Sequence, residues 1–164
     1  MIEKFTTAPK RGLNIEFFLP ENLDSISLRQ ICIGKLNFGK KNKIQYVFGN
    51  KNDSLISVKT ISGGRYFLTK DTKSPWIRPL NFINGKWVNS LSKLKIRIGD
   101  NLSGIKKYTA YINGRWILME YEPKRKLLFF DFNDIEFNDT KLKFNLIVED
   151  MVGNVNEFAA TLYR

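Results

Sequence analysis

KLKFNLIVED, residues Lys141–Asp150, sets Leu142, Phe144, Leu146 and Val148 against Lys143, Asn145 and Ile147 in strict alternation. Side chains two apart share one face of a β-strand, so this stretch reads as a strand with one buried face. A second strand pattern, NEFAATLY (156–163), follows after EDMVGN (149–154). Two adjacent acids, a glycine and an asparagine lie between the two runs. Three readings stay open for them: half of a metal site, part of an acid/base pair, or a tight turn.

Working outward, the same period recurs. In KLKIRIGD, Leu94, Ile96 and Ile98 alternate with Lys93, Lys95 and Arg97. Further strand patterns are NIEFFL (14–19), LRQICIGKL (28–36), KIQYVFG (43–49), SLISVKT (54–60), RYFLTKD (65–71), KKYTAYI (106–112), RWILMEY (115–121) and KLLFFDF (126–132). Turn signals FGKKN, SGG, ING (twice), EPK and VGN separate them. No segment carries a helical period, so the chain is expected to be all-β with almost no helix.

TKDTKSPW (Thr69–Trp76) follows a complete strand and contains a proline without a hairpin-length turn. We place a domain boundary there, giving a small N-terminal β-sandwich over 1–70 and a second domain over 71–164. The second domain has seven expected strands, near 76–80, 92–99, 105–112, 115–121, 126–132, 141–150 and 154–163. Seven short strands at this spacing suggest an immunoglobulin-like sandwich. Facing strands bury one parity each, which selects Ile96, Ile98, Phe144, Leu146 and Trp116 as core.

Composition narrows the chemistry. The 164 residues include no histidine, which removes the usual imidazole base, the commonest zinc ligand and any Ser-His or Cys-His pair. The one cysteine, Cys32, forms no internal disulfide and reads as a small buried apolar residue. No run approaches the ~20 apolar residues of a membrane helix. MIEKFTTAPKRG at the start lacks the apolar stretch of a secretory signal. Either the protein stays inside, or the chain is a piece of a longer exported one. The net charge is +11, which suits nucleic acid, anionic glycan or anionic membrane. The lysines are scattered, however, with clusters at GKKNK (Gly39–Lys43) and PKRK (Pro123–Lys126), and the joint richness in Lys, Asn and Ile matches biased codon usage. No nucleic-acid partner is expected.

Three sets of residues could carry function. Strands 92–99 and 141–150 run the same way in a seven-strand Ig topology, so Asp100 and Asp150 end at one pole, where the linker carrying Asp71 also enters. Oxygen ligands from Asp71, Asp100 and Asp150 would suit Ca²⁺. The competing reading is a set of turns whose aspartates accept backbone N–H bonds, with Gly104 and Gly153 at positive φ and Lys124, Arg125 or Lys126 neutralising the acids. Trp76, Trp87 and Trp116, with Tyr108, Tyr111 and Tyr121, could stack on sugar rings. Trp116 shares parity with Leu118 and is expected in the core, leaving Trp87, Trp76 and Tyr111 as the ligand platform. The carboxylate pairs Asp131/Asp134 and Glu120/Glu122 could imitate a glycosidase, although acids alternating outward on strands are usually solvated.

DNLSGIKKYTAYINGRWILMEYEPKRKLLFFDF followed by LIVEDMVGNVNEFAATLYR resembles the C-terminal tail of exported lysostaphin-type (LytM-like) zinc metallopeptidases. The parts are D-x-x-S-G-I (Asp100–Ile105), G-[KR]-W-[IV]-L-x-x-Y (Gly114–Tyr121), D-x-x-G-N (Asp150–Asn154) and the aromatic-Arg ending Tyr163–Arg164. GGRYFLTKDTKSPWI (Gly63–Ile77) resembles the family's junction before its last domain. The family's catalytic H-x-x-x-D and H-x-H elements have no counterpart in a chain without histidine. The resemblance therefore implies a non-catalytic tail or a stand-alone relative, located in the periplasm or cell envelope, with no cofactor and with a protein or wall-glycan partner. The rival class of function is a carboxylate-dependent glycan hydrolase, which would want a long structured loop lined by two acids.

Overall fold

The computed structural model describes residues 12–37 and 43–164. The FGKKN turn and most of the GKKNK cluster lie outside the described residues, as does nearly all of the opening MIEKFTTAPKRG. The chain divides into two compact units, Met1–Thr72 and Lys73–Arg164.

In the first unit, β1 (Leu13–Phe18), β5 (Leu55–Thr60) and β4 (Asn50–Lys51) form one sheet in the order β1-β5-β4. The second sheet, in the order β3-β2-β6, contains β2 (Ile31–Asn37), β3 (Lys43–Val47) and β6 (Arg65–Lys70). Ile15, Leu19, Ile31, Ile33, Ile56 and Tyr66 make their common core. Cys32 is buried.

One expectation fails here. Leu28–Gln30, read as the start of a strand, belongs to the helix α1 (Ser25–Gln30). The helix is built by its ends. Asp24 caps the start, accepting from the N–H groups of Ile26 (3.0 Å) and Ser27 (2.9 Å). At the other end, Lys51 Nζ donates to the carbonyls of Leu28 (2.8 Å), Arg29 (2.8 Å) and Ile31 (2.9 Å). A helix of six residues has no propensity of its own to rely on, so these caps decide its existence.

The second unit is an Ig-like β-sandwich. Its first sheet has the order β12-β13-β9-β7, with β7 (Trp76–Pro79), β9 (Lys93–Gly99), β12 (Glu120–Glu122) and β13 (Leu127–Asp131). Its second has the order β11-β10-β14-β15-β8, with β8 (Lys86–Trp87), β10 (Ile105–Ile112), β11 (Arg115–Ile117), β14 (Lys141–Asp150) and β15 (Val155–Tyr163). Pairings are antiparallel except β15 with β8, which is parallel. This is the ABED and CFG arrangement of immunoglobulin domains, with two short strands added to the second sheet. The inner faces meet through Ile96 and Ile98 of β9 and Phe144 and Leu146 of β14, all at most 1% exposed. Phe82 enters from the β7–β8 connection, with ring centroids 5.8 Å from Phe144 and 6.2 Å from Phe158.

Residues 115–121, expected as one strand, form two. The chain leaves the second sheet after Ile117 and joins the first at Glu120. This crossing overturns the assignment of Trp116 to the core. Ile117 pairs with the buried Ala110 and turns inward, followed by Met119, which places Trp116 and Leu118 outside at 56% and 55% exposure.

The chain closes with Arg164. Its guanidinium lies 4.1 Å from the Phe132 ring centroid and donates to the Leu91 carbonyl at 3.0 Å. Its backbone N–H donates to the Thr140 carbonyl at 2.9 Å.

Leu146→Ala should lower stability by roughly 2–5 kcal/mol, because it opens a cavity between two close-packed sheets. Trp116→Ala should leave the melting temperature within about two degrees of the parent, as for most exposed positions. Thermal melts of both variants check the two faces together.

Candidate functional site

The ends of β9 and β14 carry the same local device. Asp100 Oδ2 accepts from the N–H of Leu102 (2.8 Å) and of Gly104 (3.0 Å), two and four residues on. Asp150 Oδ1 accepts from Val152 N–H (3.0 Å) and Asn154 N–H (2.8 Å), again two and four residues on. Asp150 Oδ2 is held by Asn154 Nδ2 at 2.8 Å. The reversal at EDMVGN is completed by Asp150 N–H to the Asn154 carbonyl (3.0 Å) and Gly153 N–H to the Asp150 carbonyl (3.2 Å). Gly153 has φ 85° and Gly104 φ 89°, a region that side chains with a Cβ resist. Met151 N–H donates to the Gly104 carbonyl at 3.1 Å and ties the two loops together. EDMVGN is thus a turn organised by its own aspartate.

Asp100 and Asp150 do come together: an oxygen of one lies within 4.8 Å of an oxygen of the other. Asp150 is fully buried, and Asp100 Oδ1 is enclosed with no hydrogen-bond partner among the described residues. Asp71 belongs to the first unit. It is buried, follows β6, and its N–H donates to the Gln30 carbonyl at 3.0 Å. Of the neighbouring cations, Arg125 pairs with Glu122 at 3.5 Å and Lys126 Nζ lies 5.7 Å from the Trp76 ring centroid.

Two further acids, Asp131 and Glu149, are held by bases or backbone, and Asp134 and Glu120 are exposed. Asp131 accepts from Asn133 N–H (3.0 Å) and pairs with Lys93 (3.0 Å), and these contacts, the backbone one first, lower its pKa. Lys93 is correspondingly raised, chiefly by Asp131. A glycosidase general acid needs the opposite shift. Glu149 sits between Lys106 (2.9 Å) and Lys107 (3.0 Å), and their hydrogen bonds, Lys106 first, lower its pKa too.

The aromatic candidates separate. Trp76 lies in the first sheet, half-buried, with Arg78 5.4 Å from its ring centroid. It covers Gly99, where an added Cβ would stand 2.2 Å from Trp76 Cζ2. Trp87 and Tyr111 lie in the second sheet. Trp87 is 64% exposed, with its ring centroid 5.5 Å from that of Tyr163. Tyr111 pairs with Trp116 across β10 and β11. Sequence parity missed Trp116 and Tyr163 as surface aromatics; the tight turn before Trp116 was the available signal that an edge strand begins there.

No family model matches the chain, and no curated protein matches it. Among solved structures it is similar to one described as Clostridium thermocellum CbhA fibronectin(III)-like modules. The likeness covers 93% of this chain and 85% of that one at 9% identity, with a TM-score of 0.42.

Asp150→Ala should cost about 2–3 kcal/mol, above the loss of an exposed cap, because buried donors lose a charged acceptor. Gly153→Val should also destabilise, and chemical denaturation measures both. Glu149 adds a pH limb. Its pKa is depressed on folding, so its contribution is present above the unfolded value and lost as pH falls through the folded one. The melting temperature should hold from neutrality to about pH 5 and fall below about pH 4. Glu149→Gln should be less stable than the parent at neutrality, with the difference vanishing in acid.

Proposed function

We propose that this chain is a non-catalytic binding or spacer module, the accessory tail of an exported cell-envelope metallopeptidase, contacting a protein partner or wall glycan. One observation carries the reading. One acid of each candidate pair and both turn aspartates of the Ig-like unit are engaged: Asp100 and Asp150 by backbone donors, Asp131 by Asn133 and Lys93, Glu122 by Arg125, while Asp134 and Glu120 are exposed. The absence of histidine supports it from the sequence side, since the resembled zinc centre has no ligands here. A carboxylate-dependent hydrolase would need a raised acid, and Asp131 is lowered.

The test is incubation of the pure chain with peptidoglycan, with and without a zinc chelator. No released stem peptide or bridge is expected in either sample. Hydrolysis abolished by the chelator would sink the proposal. In the gene, H-x-x-x-D and H-x-H elements upstream of this segment would support the tail assignment.

A second reading is favoured by the enclosed, unpartnered Oδ1 of Asp100 beside Asp150. It is a structural Ca²⁺ at this end of the Ig-like unit. Under it, millimolar calcium raises the melting temperature by several degrees and Asp150→Ala erases the rise. Identical melts in calcium and in chelator leave the turn as the whole role of these acids.

A further inference from the structure

The outer face of the five-stranded sheet brings together residues that are far apart in sequence. Trp116, Tyr111, Asn145 and Ala159 form one row across β11, β10, β14 and β15, since each is the register partner of the next. Lys141, Tyr163 and Trp87 form a second row across β14, β15 and β8. Residues paired in register point to the same side of a sheet, and the buried neighbours Ile112, Phe144, Leu162 and Val88 put that side outward. The rows lie about 13 Å apart along the strands, and the edge strands about 19 Å apart across them. Each row thus ends in an aromatic pair, Trp116–Tyr111 at one edge level with the middle of β14 and Tyr163–Trp87 at the other edge level with its first residue.

Between the pairs the floor is low and polar. Lys143 stands opposite Thr161, beside a shallow open depression over Ala159. Lys141 and Lys143 are exposed, and neither is in an ion pair among the described residues. The acids of the same face are engaged. Glu149 is held by Lys106 and Lys107, Glu157 by Asn145 Nδ2 (2.8 Å), and Asp139 by Asn113 Nδ2 (2.8 Å). The buried Oδ1 of Asn145 has no hydrogen-bond partner among the described residues.

We propose that this face binds an extended acidic glycan, with sugar rings on the Trp116–Tyr111 and Trp87–Tyr163 pairs and sugar carboxylates on Lys141 and Lys143. This rests on the chain being a binding module and names the ligand class of that reading. A pyranose presents an apolar C–H face and a rim of hydroxyls, which suits aromatic rings separated by amide and hydroxyl groups. A protein partner wants a contiguous apolar centre, and here lysines divide the aromatics. Charge favours an anionic ligand through Lys141 and Lys143, which share a depression with Asp139, itself held by a neutral amide, in a chain of net charge +11. A single nucleic-acid strand prefers successive stacking positions along a continuous basic groove, whereas these pairs sit at opposite edges of the sheet.

The probes are a size-defined oligogalacturonate, its neutral methyl ester, and a single-stranded thymidine oligonucleotide of the same charge, titrated by tryptophan fluorescence. The oligogalacturonate should bind, and the ester should bind at least about tenfold more weakly. Trp87→Ala and Trp116→Ala should each weaken binding about tenfold while melting like the parent. Lys141→Ala with Lys143→Ala should remove most of the salt dependence. No binding of the oligogalacturonate, binding indifferent to both tryptophans, or tighter binding of the oligonucleotide would overturn the proposal. None of these outcomes touches the non-catalytic reading, which fails on hydrolysis alone.

Discussion

The Asp150 carboxylate is the constraint on which the Ig-like unit turns. It has no exposure to water, and burying a charge is costly unless it is fully hydrogen-bonded. Three donors from its own turn meet that cost, two of them backbone groups. In doing so they fix the reversal between β14 and β15, the two longest strands of the unit. Once that hairpin has its register, the alternation along β14 sends Leu142, Phe144, Leu146 and Val148 into the core together. A slip of one residue would bury the lysines instead. The matching loop at Asp100 does the same for the end of β9, and the Met151–Gly104 bond makes the two loops one end-plate.

Much of this architecture was legible because period-two alternation is a direct consequence of burying one face of a strand. Asp100 and Asp150 were placed near one another from strand direction alone, and they are neighbours. What parity could not supply was the sheet to which a strand belongs. Residues 115–121 carry the unbroken apolar run Trp116–Met119, which marks no face, and the chain changes sheets inside them. Trp116 and Leu118 therefore lost their burial to Ile117 and Met119, and Trp76 parted from Trp87 and Tyr111.

The short helix failed for a different reason. Leu28–Gln30 look like strand residues because the deciding partner of the helix, Lys51, lies more than twenty residues away. Burial lowers the pKa of that lysine, as expected for an ammonium drawn towards carbonyls and away from water. Local patterning contains the Asp24 cap but not the distant one. In the same way, the aromatic pairs of the outer face are set by register pairs between β11, β10, β14, β15 and β8, which no window of sequence spans.

The strand lengths in the Ig-like unit carry one more consequence. All four edge strands are short: β7 has four residues, β8 two, β11 three and β12 three. The interior strand β14 has ten. An edge that long would offer a row of open N–H and C=O groups to any passing extended segment. The short caps cover only part of the strands behind them, since β8 pairs with Leu162 and Tyr163 of β15 and β11 with Ala110–Ile112 of β10, while Pro79 removes one donor from β7. The four edge strands themselves thus offer a neighbour no backbone run longer than four residues.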